Sequence, residues 1–310
     1  MNDVMTVRGP VPASGLGVTH SHEHVMWDYF RMIASYDCVF DDAAIAAAEL
    51  RRLRDVGVGT VVDCSTVGIR TNVGALARVS EESGVNIVLG CGWYRERLYP
   101  AAVYEQTAPQ LAEVLIAELT EGIDGTGVRA GLIGEIGTER GSITPAEERV
   151  FRAAARAHHA TGVAILTHTT HFGELGLEQL DLLADAGVSP DRVVISHLGD
   201  RPDPQLLLRI AARGAYLSVD NIGYTEAGYP GDDVRADNVV RLVREGYRDR
   251  VVLGTDISTK SALAAFGGAG YTRLHDSFLP MLRERGLDDA DLRALTVDNM
   301  AAVLTPHQSA

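Results

Sequence analysis

Three features of the chain predict an α/β protein folded as a (β/α)8 TIM barrel. Near-continuous apolar, β-prone runs alternate with helical patterns, the alternation repeats until eight strands are counted, and chemistry-bearing side chains stand at strand ends from the first strand to the last. Parallel strands covered by helices produce that alternation, and closing them into a barrel brings every C-terminal strand end to one face. An open doubly wound sheet would hold its outer strand ends far apart, and the glycine-rich phosphate fingerprint such sheets carry is missing after the first strand. No linker or low-complexity segment interrupts the pattern, so one barrel domain is expected over residues 1–310.

Residues 4–12 predict a short ribbon ahead of the barrel, and residues 17–24 the first strand. The second strand is expected at 60–64, followed by a helix over 71–83; the third at 85–90, followed by an aromatic loop and a helix near 107–120. Strand four, at 130–135, precedes a helix whose start is written in Thr144, Pro145 and Glu147: a capping hydroxyl, a proline in the first turn and an acid three residues on. Strands five to eight are expected at 163–168, 193–197, 216–220 and 251–256, each trailed by a helical pattern.

Composition narrows the function. With 46% apolar residues the chain can bury a large core, and it has no run of eighteen apolar residues and no basic-then-apolar leader, which predicts a cytoplasmic protein with no membrane partner. Cys38, Cys64 and Cys91 are odd in number and lack CxxC spacing, so they read as buried thiols. A formal charge of −14 disfavours nucleic acid, whose recognition rests on a basic surface. A small-molecule substrate is the partner expected, and a homodimer is left open.

The first strand ends in His22 and His24, and residues i and i+2 of a strand point to one face. Collecting the other strand ends adds Glu135 from strand four, His168 from five, His197 from six and Asp256 from eight. Four imidazoles and two carboxylates at one mouth exceed what a single ion needs, and the donor chemistry suits zinc or another divalent transition ion. Two divalent metal ions, Zn2+ by choice, are therefore expected.

The motifs HSHEH, GEIGTERG, ILTHTTH, VISHLGD and LGTDIS, closed by VDNMAAVL, resemble the phosphotriesterase family of the amidohydrolase superfamily over essentially the whole chain. The segment GIDGTGVRAGLIGEIGTERGSITPAEERVF is similar to the branch called phosphotriesterase homology proteins. The resemblance implies that His22, His24 and Asp256 hold the more buried ion and His168 and His197 the more exposed one, with a carboxylate and a hydroxide between them. Two departures follow. Much of the family bridges its ions with a carboxylated lysine on strand four, whereas the only lysine here is Lys260, so Glu135 is the substitute, one residue beyond the family position. A one-residue shift turns a side chain to the opposite face, so strand four must bulge or its backbone be displaced. After strand seven the family's Asp-His relay is replaced by Asp220 and Asn221, which weighs against efficient phosphotriester hydrolysis.

The function expected is hydrolysis of a lactone or carboxylic ester, such as a phosphorylated sugar lactone, by a hydroxide bridging a binuclear zinc centre; a phosphoester hydrolase is the alternative, and an inactive metal- or ligand-binding barrel the alternative of another class. Asp256 is expected to take and deliver the proton, Asp200 to orient its neighbours, and Tyr94 resembles a lactonase tyrosine near the bridging hydroxide. Lys260, Tyr271 and Asn221 are the expected substrate contacts, Lys260 for a remote phosphate or carboxylate. Trp27, Trp93, Tyr224 and Tyr229 are candidate walls, His20 and His171 carry no assigned role, and His158 and His159 read as a surface pair.

Overall fold

In the computed structural model, which describes residues 3–170, 174–225 and 228–307, an antiparallel ribbon of Asp3–Thr6 and Gly9–Pro12 leads into eight parallel strands. These are β1 (Val18–Glu23), β2 (Val58–Asp63), β3 (Asn86–Cys91), β4 (Leu132–Gly137), β5 (Ile165–His168), β6 (Val193–Ile195), β7 (Tyr216–Val219) and β8 (Val251–Leu253). They pair in sequence order in one sheet, and the Asp256 N–H donates to the His22 carbonyl at 3.1 Å, which brings the chain just past β8 against β1. The (β/α)8 barrel is as the alternation predicts, with strand bounds displaced by up to three residues.

The helix start after β4 forms as read: the Thr144 hydroxyl accepts from Glu147 N, Glu147 accepts from Thr144 N, Pro145 opens the helix Pro145–Thr161, and Gly162 ends it with a φ of 72°. Glycine is also required where strands crowd. A Cβ on Gly90 would lie 1.8 Å from the Gly134 carbonyl oxygen, and one on Gly134, at φ +122°, would lie 1.9 Å from the Leu166 carbonyl oxygen.

Two apolar clusters hold the barrel. One lies between the strands and the outer helices; the other gathers Val62, Val88, Leu132, Leu166, Val194 and Val252 with Val4 from the ribbon, Leu16, and Met300, Val303 and Leu304 from the helix Asn299–Leu304. Arg192 fastens that helix by donating to the carbonyls of Ala302, Val303 and Thr305. His158, expected at the surface, is buried instead, because its Nδ1 is used on the Val163 carbonyl at 2.7 Å; His159 beside it is exposed. No helix among the described residues is long and apolar enough to cross a membrane.

Candidate metal centre

The strand ends meet as the barrel requires, and irregular backbone aims them. Between β4 and β5 the register runs from Ile133 opposite Ile165 to Ile136 opposite Thr167, three steps against two, so β4 carries one extra residue. That bulge returns Glu135 to the inner face and resolves its one-residue displacement. Strand β1 slips in the same way against β2 between His20 and Glu23, across His22. His197 and Asp256 sit at φ of 60° and 49°, left-handed conformations that non-glycine residues adopt at a cost.

Glu135 is the centre of the arrangement. Its Oε2 lies 3.0 Å from His168 Nδ1, 3.5 Å from His22 Nε2 and 3.7 Å from His197 Nε2, while its Oε1 lies 3.6 Å from His24 Nε2. Asp256 closes the other side, Oδ1 being 3.0 Å from His24 Nε2 and 3.5 Å from His22 Nε2. Among the described residues, three groups could each hold a cation, their donor atoms all within 4.8 Å of one another: His22, His24 and Glu135; His22, His197 and Asp256; and Glu135, His168 and His197. His22 Nε2 is buried with no hydrogen-bond partner, a cost that a coordinated cation would remove. The residues present therefore fit a divalent metal site.

The opposite ring nitrogens are held from behind. Asp220 Oδ1 is 3.0 Å from His197 Nδ1 and accepts from His197 N, while Oδ2 is 3.2 Å from His22 Nδ1, so one carboxylate orients two imidazoles. Ser65 Oγ is 3.0 Å from His24 Nδ1. In His168 burial and the neighbouring His197 lower the imidazole to about 4, whereas in His197 burial is overcome by Asp220, which raises it to about 10. Glu135 is held well below the usual carboxylate range, its burial outweighed by His22 and His168.

Above the cluster lies a cavity of about 280 Å³ whose lining includes Tyr94, His168, His197, Asp200, Asn221 and Asp256. The Tyr94 ring is 4.8 Å from that of His168, edge to face, and burial followed by the Glu135 charge keeps its hydroxyl protonated well past the ordinary tyrosine value. Asp200 is fixed by Arg235 Nε at 2.7 Å and by the Asn221 amide. Tyr224 and Tyr229 line the cavity as well. Tyr271 does not: its hydroxyl is buried and donates to the His24 carbonyl at 2.6 Å, which removes it from substrate contact and makes it a brace for the first strand end. Trp27 and Trp93 are buried away from the lining, Trp27 against Phe40, and Lys260 sits half-buried in the turn Lys260–Ala262, outside the lining. His171 lies outside the described residues.

Sequence reasoning gave Asp220 no positioning role and passed over Tyr29 and Glu23. The Tyr29 hydroxyl is 3.0 Å from His24 Nε2 and its ring meets Tyr94 edge to face. Glu23 accepts from Thr255 N and Thr255 Oγ1, tying the segment that ends in Asp256 to β1. Asp220 carried a usable signal, an acid at the end of a strand like Asp256; Tyr29 and Glu23 carried none, because their roles depend on a loop's path and on the neighbouring strand.

A barrel that converges four imidazoles and two carboxylates at one mouth has the donor set of a metal-dependent enzyme. The chain belongs to the phosphotriesterase family, whose profile matches residues 2–304. It is 37% identical to the phosphotriesterase homology protein of Escherichia coli, over 91% of this chain and 96% of that protein. It is 31% identical to the N-acetyltaurine hydrolase of Tetraodon nigroviridis, over 97% of each. A solved lactonase from Listeria monocytogenes superposes with a TM-score of 0.92 at 28% identity, over 99% of this chain and all of that one. Relatives of these kinds are ester- or amide-bond hydrolases, and this chain is an enzyme of that class.

Proposed function

We propose that the chain hydrolyses a carboxylic ester or lactone at a pair of divalent ions, zinc by preference, held by His22, His24 and Asp256 on one side and by His168 and His197 on the other, with Glu135 between them. The observation that carries the reading is the position of the Glu135 carboxylate, one oxygen toward His24 and the other toward His168, with all four imidazoles within 3.7 Å of it. Two cations held that close together need a shared anion, and this chain has no lysine on β4 to supply one. Bound there, such ions would lower the pKa of a water and polarise a carbonyl.

The chain's own residues do the rest. Asp256 is the least buried of the acids in the cluster, with 16% of its side chain exposed, and it lies on the cavity wall, so it can hold the proton released by water and pass it to the leaving oxygen. Tyr94 keeps its hydroxyl proton and can donate to the oxygen of the substrate. Asp200, clamped by Arg235 and Asn221, fixes the mouth of the cavity, and Asn221 has no basic site with which to take a proton onward from it. The missing proton acceptor supports a carbonyl over a phosphoryl substrate, as do a lactonase and an N-acyl amide hydrolase among the relatives. Hydrolysis of an N-acyl amide is the second reading, favoured by the second of those relatives.

The test is elemental analysis after loading with zinc, followed by a panel of lactones, carboxylic esters, N-acyl amides and phosphoesters. Two ions per chain and a preference for the first two substrate classes are expected, with Asp256→Asn losing about 10²–10⁴ in rate while its metal content is tracked. A single ion after full loading would remove the paired centre, phosphoester preference would reverse the substrate reading, and turnover of nothing in the panel would leave an inactive binding barrel.

A further inference from the structure

A second cavity, larger than the one above the metal cluster, opens beside it. It encloses about 340 Å³ and is walled by the chain after β7, the segment 255–262 after β8, and the glycine-rich stretch 268–270. The two cavities divide the same loops between them. Asn221 and Asp256 face the first, while their immediate neighbours Ile222, Thr255 and Ile257 face the second; Tyr224 and Ser258 line both. Only one residue's thickness separates the spaces, and Ser258 lies two positions from the acid expected to handle the proton.

The chemistry of the second wall is specific. Ile222, Ile257 and Ala262 supply apolar faces, and Ser258 and Thr259 supply hydroxyls with no hydrogen-bond partner among the described residues. Among the described residues the one charged side chain in the lining, Arg273, is already committed: its Nε and Nη2 both donate to Asp232 Oδ2, at 3.2 and 2.9 Å. Asp232 in turn is held by Arg235 and by Gly223 N through its other oxygen, and Arg235 is paired with Asp200. Two guanidiniums and two carboxylates thus cancel. Lys260, on the same loop, lines neither cavity.

From this geometry we propose that the second cavity is a subsite for a neutral, hydroxyl-bearing arm attached to the scissile ester or lactone, so that the preferred substrate is bipartite and its distal part is uncharged. The inference rests on the hydrolytic reading of the metal centre for its first half and on the second cavity alone for its second. An uncharged polyol arm can exchange hydrogen bonds with Ser258, Thr259 and the backbone of the glycine-rich stretch while laying its carbons on the two isoleucines. An anionic arm would meet a guanidinium already neutralised and would lose hydration without gaining an unshared cation.

Two measurements on zinc-loaded protein separate the halves. In the first, kcat/KM is compared for a simple γ-lactone, the same ring carrying a dihydroxyethyl arm, and the same ring carrying a carboxylate arm; the dihydroxyethyl arm should raise kcat/KM at least about tenfold, mainly through KM, and the carboxylate arm should not. In the second, the free dihydroxyethyl arm, capped by a methyl group as propane-1,2-diol, is examined by saturation-transfer NMR, which needs no turnover. Ala262→Phe, which fills the cavity from a position making only backbone hydrogen bonds, should abolish the NMR signal and erase most of the armed substrate's advantage, with circular dichroism and metal content recording that the barrel is intact. If nothing is hydrolysed but the arm still binds and Ala262→Phe abolishes it, the hydrolytic reading fails and the subsite stands. Preference for the carboxylate arm, absence of arm binding, or arm binding indifferent to Ala262→Phe would overturn the subsite.

Discussion

The two ends of the barrel are built on opposite principles. At the N-terminal ends of the strands, Leu16, Leu132, Leu166, Met300 and Val303 pack as an apolar plug, and the buried cation there, Arg192, spends its donors on carbonyls at the end of the C-terminal helix. At the C-terminal ends the plug is replaced by six buried or half-buried side chains that could hold a cation, a bulge in β4, a slipped register in β1, two left-handed non-glycine residues and an imidazole nitrogen with no partner. The lower end has its own exceptions, a register slip between Val18 and Thr19 and an unpartnered Arg192 Nε, but the irregularities gather above, which is where a site that must accept something from outside is expected to lie. Removing side chains from the two ends should therefore have different signatures.

Glu135→Ala is expected to have the largest effect. It removes the anion shared by both halves of the cluster and leaves four imidazoles without their central partner, so both metal content and rate should fall by more than the roughly 10–100-fold that losing a ligand's hydrogen-bond partner costs. Elemental analysis alongside turnover is the check; loss of rate with both ions retained would deny Glu135 its bridging place. Asp220→Asn comes next. It keeps the shape but turns one acceptor into a donor facing His22 and His197, and metal affinity should weaken by about 10–100-fold, read by chelator competition. Leu166→Ala belongs to the other end. Leu166 is fully buried in the plug, so the change should cost about 2–5 kcal/mol of stability by chemical denaturation, with kcat per folded, loaded chain close to wild type. A reversed pattern, with Leu166→Ala sparing stability and abolishing catalysis, would break the contrast.

The same contrast explains what could be read from the sequence. The regular end was legible: alternation fixed the barrel, and the Thr144, Pro145 and Glu147 signal placed a helix start to the residue. His22, His24, His168, His197 and Asp256 were legible because a barrel brings strand ends together whatever the loops do. Glu135 was legible as a residue, and its offset already called for a bulge or a displaced backbone; which of the two applies was not legible, since it depends on how β4 meets β5. Tyr271 and Trp27 were misplaced for a related reason: loop aromatics look alike in sequence whether they face a cavity or brace a strand, and here the His24 carbonyl and Phe40 claimed them. His158 was misread because the loop after its helix folds back to offer the Val163 carbonyl.

The smallest expected effect concerns acid. His275 Nε2 lies 3.0 Å from His20 Nε2 with the rings stacked at 5.2 Å, and His20 Nδ1 lies 2.7 Å from Glu23 Oε1, so the pair sits just behind the metal cluster. Burial, then the neighbouring His20, lowers His275 to about 4. In the unfolded chain it returns to about 6.5. Between those values the unfolded chain binds more protons than the folded one, so stability rises with pH through that window: the contribution is fully present above about 6.5 and is lost as the pH falls toward 4. His275→Gln removes the titration and should flatten the dependence of the urea midpoint on pH between 7 and 4. Wild type and variant are to be compared metal-free, so that protonation of the shared ligands cancels in the difference. His158, at the opposite end, is depressed in the same direction by burial, so His158→Gln should flatten the same curve with the same sign. Acid sensitivity is then a property of buried imidazoles at either end and not a privilege of the mouth; parallel curves for wild type and His275→Gln would show that His275 titrates alike in the folded and unfolded chain.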